Sequence, residues 1–399
     1  KEGSRILAGD ELFFSKYSEE VRFTSPVSGI IAEVKRGDKR RILEVIIEAD
    51  PTDSYKNFGQ LNAATADAES VKNRILRSGC GAFIKQRPYD VIADPKDSPK
   101  AIFISAVSTA PLAADLGFVL KDKVAAFQEG IYALQKLTAG KVHVSVDESS
   151  ASILKGIKGS EIHVVNGPHP AGNVGVQIQK LDPINRGERV WCVGAEDVAI
   201  IGNVFLTGEY RADRTIAVTG SEAKDRKYYK TKIGANSADL VGPVSEDVRL
   251  ISGDVLTGLK LSSNQYLGFY PNSVTLIPEG NKYRMFGWLP FTYNNIHSNS
   301  KTSLSWLMPN KKFEPTTNLN GEERALVVTG EMEEVMPMDI YPMQLLKACM
   351  AGDIEKMENL GIYEVAPEDF ALIDYVNTSK IEAQEIIRLG LDLMLTEVG

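Results

Sequence analysis

Cysteine is scarce in this chain, and the three present, Cys80, Cys192 and Cys349, stand far apart. No CxxC or CxxxC spacing exists. That excludes an iron–sulfur cluster or a cysteine zinc site and fits thiols kept reduced in the cytosol. Histidine is almost as rare, with four in 399 residues. They are scattered, so neither a metal site nor a catalytic constellation is expected. A GxGxxG turn is missing, as is a P-loop, and phosphate binding through the usual glycine-rich turns is unsupported. Positive charge is not in excess: 45 Lys and Arg against 53 Asp and Glu leave a net charge of −8. Nucleic-acid binders are more often basic, which sets that class aside. No apolar run reaches the roughly 18–20 residues that span a bilayer. No secretory leader opens the chain either, since Lys1-Glu2-Gly3-Ser4 reads as a turn inside a domain.

Glycine and proline, by contrast, concentrate at one place. Gly167-Pro168-His169-Pro170-Ala171-Gly172-Asn173-Val174-Gly175 holds three glycines and two prolines in nine residues. Glycine permits positive φ or close backbone approach, and proline fixes φ near −65°. The loop follows an apolar run, 162–165, that reads as a buried strand. A stiff loop leaving the C-terminal end of a strand is where α/β proteins place ligands. The competing reading is a rigid turn packed against a neighbouring domain.

The length suggests about two to four domains, and the hydrophobic period changes along the chain. Residues 1–50 are β-rich. Ser25-Pro26-Val27-Ser28-Gly29 and Gly37-Asp38 resemble the turns of the barrel-sandwich hybrid of biotinyl and lipoyl domains, whose opening strand would precede Lys1. Lys16 is the hairpin lysine that a covalent carrier would need, but it lacks a flanking Met. A structural module is expected instead. Residues 66–77 are helical, with Val71, Ile75 and Leu76 at helical spacing. Lys85 and Arg87 alternate along an extended stretch before Pro88, which suits either an anion held between them or, the favoured reading, a solvated connector.

Residues 101–107, 142–146 and 161–165 read as strands, with helices at 121–139 and 150–157 between them. This β-α-β-α-β order implies a Rossmann-like parallel sheet. Loops 108–111, 147–149 and 167–175 then meet at one sheet edge. Ser108, Thr109, Asp147, His169 and Asn173 are the candidate site residues in that cleft, and Gly167, Pro168, Pro170, Gly172 and Gly175 are its architecture. A helix at 195–207 carries Glu196 and Asp197, suited to its N-terminal dipole. Short strands at 248–251, 255–261, 268–270 and 274–277 suggest a β-grasp-like module. Residues 281–325, with Trp288, His297 and Trp306, look irregular. Residues 340–399 are helical, and Met332, Met336, Met338 and Met343 read as core packing. The fold class is therefore multidomain α/β and α+β. Its parts are a barrel-sandwich hybrid module (1–50), a Rossmann-like domain (60–212), a β-grasp-like module of the SLBB type (213–330) and a C-terminal helical region (331–399).

One succession of motifs is more specific. Arg87-Pro88-Tyr89, Ile102-Phe103-Ile104-Ser105-Ala106, Pro111-Leu112-Ala113-Ala114-Asp115, Gly167 to Gly172, Ile251-Ser252-Gly253, Phe286-Gly287-Trp288 and Val335-Met336-Pro337-Met338-Asp339-Ile340-Tyr341-Pro342 run in order through nearly the whole chain. Together they resemble the NqrA family, one of the subunits of the sodium-translocating NADH:quinone reductase. More distant likenesses are the C subunit of ion-translocating ferredoxin:NAD oxidoreductases and the NADH-binding subunit of respiratory complex I. Those relatives carry cysteine cluster motifs, which this chain lacks.

The resemblance implies a peripheral subunit on the cytoplasmic side of the bacterial inner membrane, with five partner subunits. It implies a complex that reduces quinone and exports Na+, with flavin and iron–sulfur centres in the partners and no covalent cofactor here. Quinone is the ligand it implies for the cleft. His169 could offer a hydrogen bond to a quinone carbonyl, or bond a neighbouring domain's backbone instead. The alternative is an independent soluble nucleotide-binding oxidoreductase that uses the Rossmann-like cleft.

Overall fold

The computed structural model describes residues 1–262, 265–280, 282, 285, 286, 289 and 305–399. Gly287, Trp288 and His297 of the aromatic-rich stretch lie outside the described residues. The N-terminal module contains β1 (Arg5–Ile6), β2 (Glu11–Phe14), β3 (Arg22–Thr24), β4 (Gly29–Arg36) and β5 (Ile42–Ala49). One sheet runs β1-β4-β5, and β2 pairs with β3. This is the barrel-sandwich hybrid. Lys16 sits exposed in the turn between β2 and β3.

Next come α1 (Ala68–Arg77), β6 (Ile84–Arg87), β7 (Val91–Ile92) and β8 (Ala101–Ala106). They are followed by α2 (Leu116–Leu120), α3 (Val124–Gln135), β9 (Lys141–Val146), α4 (Glu148–Ile153), β10 (Glu161–Val164), α5 (Val174–Leu181), β11 (Val190–Gly194) and α6 (Ala195–Thr207). Six strands form one sheet in the order β10-β9-β8-β11-β6-β7. Strands β8 to β11 are mutually parallel, and β6 runs antiparallel to β11. Ile102, Ile104 and Ala106 of β8 face α3 and α6, joining Phe127, Ile131, Val198 and Ile201 in the main core. Phe103 points the other way, against Ile178 of α5 and Cys192. A strand buried on both faces needs such an apolar run, as β8 has.

The structure corrects several sequence readings. The expected helix at 121–139 starts only at Val124. A separate turn of helix, α2, precedes it, capped by the Asp115 carboxylate on the Phe118 N–H. Residues 162–165 are not a buried strand. β10 is the sheet edge, and Ile162 and Val164 are 39% and 67% exposed. Nor is Arg87 on a solvated connector: β6 hydrogen-bonds to β11, and Arg87 is only 1% exposed.

The β-grasp-like module consists of β12 (Asp213–Thr219), β13 (Tyr228–Lys232), α7 (Ser237–Val241), β14 (Val248–Ser252), β15 (Leu259–Leu261) and β16 (Ser273–Pro278). Its sheet order is β13-β12-β16-β14-β15. The expected strand at 255–261 shrinks to Leu259–Leu261, because the Asp254 carboxylate accepts the N–H groups of Leu256 and Thr257 at 2.7 and 2.9 Å and makes a turn there. Residues 268–270 are no strand either. Phe269 stacks on Phe83, and the Tyr270 hydroxyl donates to the Ala82 carbonyl, so this stretch locks the module to the parallel-sheet domain.

The C-terminal region holds α8 (Glu331–Val335), α9 (Pro342–Ala351), α10 (Ile354–Asn359), α11 (Ala371–Val376) and α12 (Ala383–Glu397). Met332, Met336, Met338 and Met343 are buried in one core with Leu346, Phe370 and Leu391, which is the packing role read for them. Tyr89 and Val176 of the parallel-sheet domain belong to this same core.

Candidate functional site

Chain order places a switch point between β8 and β11, since β9 and β10 lie on one side of β8 and β11 on the other. In open α/β sheets the crevice at such a point receives ligands. Here the first turn of α6 carries Glu196 and Asp197, both buried. Glu196 accepts the Thr215 N–H at 2.8 Å and pairs with Lys123 and Arg214. Asp197 pairs with Arg214 at 2.8 Å. Burial pushes the Asp197 carboxyl up to about 6, although Arg214 pulls it down. A phosphate arriving at this helix N-terminus would meet carboxylates instead of free donors, and both neighbouring cations are already engaged. The two acidic residues that suit the dipole therefore serve as internal ion-pair partners.

Loop 167–175 is built more tightly. Its own backbone turns twice, Ala171 N–H to Pro168 O at 3.0 Å and Asn173 N–H to Pro170 O at 2.8 Å. Pro170 is buried, and Gly167 opens the loop at φ 149°. Ser105, at the end of β8, donates to the Gly172 carbonyl at 2.9 Å, and Gln177 donates to the Ser105 hydroxyl at 2.9 Å. The Thr109 hydroxyl oxygen accepts the Gly172 N–H at 2.9 Å and lies 3.1 Å from His169 Nδ1. The Thr109 hydroxyl either gives its proton to Nδ1 or takes one from it, according to the ring's tautomer. Nε2 is buried and has no hydrogen-bond partner. Burial holds the His169 pKa below its ordinary value against the opposing fields of Asp254 and Asp369. Burial thus favours the neutral ring, and Nε2 stays unpaired.

The far side of the loop rests on an ion cluster in which Arg87 and Asp369 are buried and Glu368 is partly exposed. Arg87 donates from Nη1 to Asp369 at 2.9 Å and from Nη2 to Glu368 at 2.5 Å. Asp369 also accepts the Ala366 N–H at 2.9 Å. The two carboxylates raise the Arg87 pKa above its ordinary value although burial opposes it. Gly175, in the first turn of α5, lies directly on this pair. A Cβ there would sit 2.5 Å from an Asp369 oxygen and 2.7 Å from Arg87 Nη1. Glycine is required for the approach, and the Asp369 carboxylate gains from the α5 dipole.

Of the sequence candidates, Thr109 and His169 touch each other. Asn173 turns away and donates to the Glu368 carbonyl at 3.1 Å. Asp147 is the N-cap of α4, its Oδ1 accepting the Ser150 N–H at 2.8 Å. Ser108 is half-buried beside Thr109. The pairing of Arg87 with Glu368 and Asp369 was missed because 281 residues separate the first two. Only Pro367 at a helix start, followed by two acids, hinted at a structured turn.

Comparison with known proteins fits these modules. Family models match as the NqrA N-terminal barrel-sandwich hybrid domain at residues 1–50, the NqrA second alpha/beta domain at 66–210, and the NQRA C-terminal domain at 215–263. The A subunit of the Na(+)-translocating NADH-quinone reductase of Saccharophagus degradans is 36% identical over 98% of this chain and 88% of its own length. The chain belongs to this NqrA family. Further members from Hahella chejuensis, 36% identical, and Neisseria meningitidis, 34% identical, cover 98% and 100% of the chain and 88% and 90% of their own lengths. A NAD+-reducing [NiFe]-hydrogenase structure covers 85% of the chain and 62% of its own chain, at 11% identity and a TM-score of 0.44. Among the described residues no helix is long and apolar enough to cross a membrane.

Proposed function

We propose that this chain is a peripheral subunit of a sodium-translocating NADH:quinone reductase. It docks on the membrane-embedded partners from the cytoplasmic side and helps receive quinone, while flavins and iron–sulfur centres reside in those partners. Membership of the NqrA family along almost the whole chain supports the first part. One observation carries the quinone part: His169, with Nδ1 on Thr109, keeps an unpaired Nε2 at the loop, which is a free donor in the tautomer that carries its proton there. A quinone head group offers carbonyl acceptors and a flat apolar ring, which match that donor beside stiff Gly-Pro backbone. The α6 turn, filled by Glu196, Asp197 and Arg214, argues against independent nucleotide binding at the switch point.

A second reading has its own support. Asp254 of the β-grasp-like module and Asp369 of the helical region both act on His169, and Asn173 bonds Glu368. The loop is therefore also a junction of three modules.

Two measurements check these readings. The purified chain is expected to show no flavin absorbance and no NADH oxidation. Turnover by the isolated chain would end the subunit reading. His169→Ala in the assembled complex is expected to weaken quinone affinity about fivefold, the worth of one hydrogen bond of about 1 kcal/mol. Unchanged affinity with lowered stability would leave the loop a purely architectural junction.

A further inference from the structure

Two of the four histidines meet at the sheet edge, away from the His169 loop. β9 brings His143, and β10 brings Glu161 and His163. The parallel register sets Glu161 beside His143 and His163 beside Ser145. Alternation along the strands then puts all three side chains on one face. His143 Nδ1 lies 2.9 Å from His163 Nε2 and 3.7 Å from a Glu161 carboxylate oxygen. One ligand atom from each residue lies within 4.8 Å of the others, a grouping of three that no other His, Cys, Asp or Glu set makes among the described residues.

A tetrahedral Zn2+ with bonds of about 2.0–2.1 Å sets its ligand atoms roughly 3.3 Å apart. The 2.9 and 3.7 Å separations bracket that value. The ligands are also oriented from outside. Phe103 stacks on the His143 ring, centroids 4.6 Å apart. Lys141 holds the second Glu161 oxygen at 2.6 Å, so the first stays turned towards His143. Such outer partners fix ring orientation and carboxylate direction in metal sites.

We propose that His143, His163 and Glu161 form a site for one divalent transition-metal ion of the zinc class, with water as the fourth ligand. The ion staples β10, an exposed edge strand of four residues, to β9. Because β10 runs directly into loop 167–175, the staple also anchors the strand from which that loop departs. Two imidazoles and one carboxylate suit Zn2+ and Co2+ better than hard ions such as Mg2+.

The test is equilibrium dialysis of the full chain, stripped with a chelator, against Zn2+ alone. Co2+ serves as a second probe whose visible spectrum reports tetrahedral geometry. One equivalent is expected to bind. His163→Ala is expected to weaken affinity by more than the roughly 10–100-fold that loss of an outer partner costs, with far-UV circular dichroism unchanged. Glu161→Gln, at an exposed position that tolerates exchange, is expected to weaken it by at least about tenfold. His169→Ala is expected to leave the stoichiometry at one. No saturable binding at one equivalent, or binding indifferent to His163→Ala and Glu161→Gln, would overturn the site.

Discussion

Arg87→Met is expected to destabilise the chain by about 3–5 kcal/mol, the cost of removing one partner from a buried ion pair. Asp369 stays behind in an apolar setting, 4% exposed, with only the Ala366 N–H as a remaining partner. Glu368 contributes less, because its side chain is 41% exposed and water screens it. The loss falls on the junction between the parallel-sheet domain and the C-terminal helices, since Arg87 belongs to β6 and Asp369 to the turn before α11. Urea unfolding followed by limited proteolysis reads this directly. The midpoint drops, and cleavage within residues 331–399 precedes cleavage of the sheet domain. Arg87→Met combined with Asp369→Leu is expected to recover most of the loss, because a well-packed apolar pair often matches a buried ion pair. A single-variant loss below about 1 kcal/mol would show that the pair sits in a wetter place than its burial indicates.

Gly202→Ala is expected to lower stability by about 2 kcal/mol or more, although alanine is the better helix former by roughly 0.8–1.0 kcal/mol. The opposing effect is contact between helix backbones. α6 crosses α3 so closely that a Cβ on Gly202 would lie 2.8 Å from the Ala126 carbonyl carbon and 2.5 Å from the Gly130 amide nitrogen. These are backbone atoms of the facing helix, and no side chain can swing aside. The helices must separate over a core that includes Phe127, Ile131, Val198 and Ile201. Overpacking of this kind costs about 1–3 kcal/mol and sometimes more. A thermal unfolding midpoint equal to or above that of the parent chain would mean that the helices part easily and propensity wins.

Much of the architecture was legible in the order of residues because it rests on local periods. The apolar run of β8, the alternating valines of β9 and the helical face of α3 each specify an element within a dozen residues. Right-handed crossovers then dictate one parallel sheet. The motif succession from Arg87 to Pro342 carried the family. Boundaries slipped where a polar side chain captured the backbone. Asp115 starts α2, Asp147 starts α4, and Asp254 replaces the first half of an expected strand. Each is a short-range competition between side chain and main chain that hydrophobic patterning does not register.

The site divides in the same way. Sequence by itself determined that loop 167–175 is stiff, that Thr109 and His169 belong to neighbouring loops, and that the methionines before α9 are core. Those conclusions follow from proline and glycine stereochemistry and from hydrophobic period. Tertiary structure alone decided that Arg87 is a buried keystone rather than a solvated cation, that Gly175 is required by an ion pair, and that His143 meets His163. Each depends on which strands lie side by side and on residues brought together across domains. Burial turns such charges and imidazoles from solvated side chains into mutually dependent partners, and no one-dimensional pattern encodes which groups will share that burial.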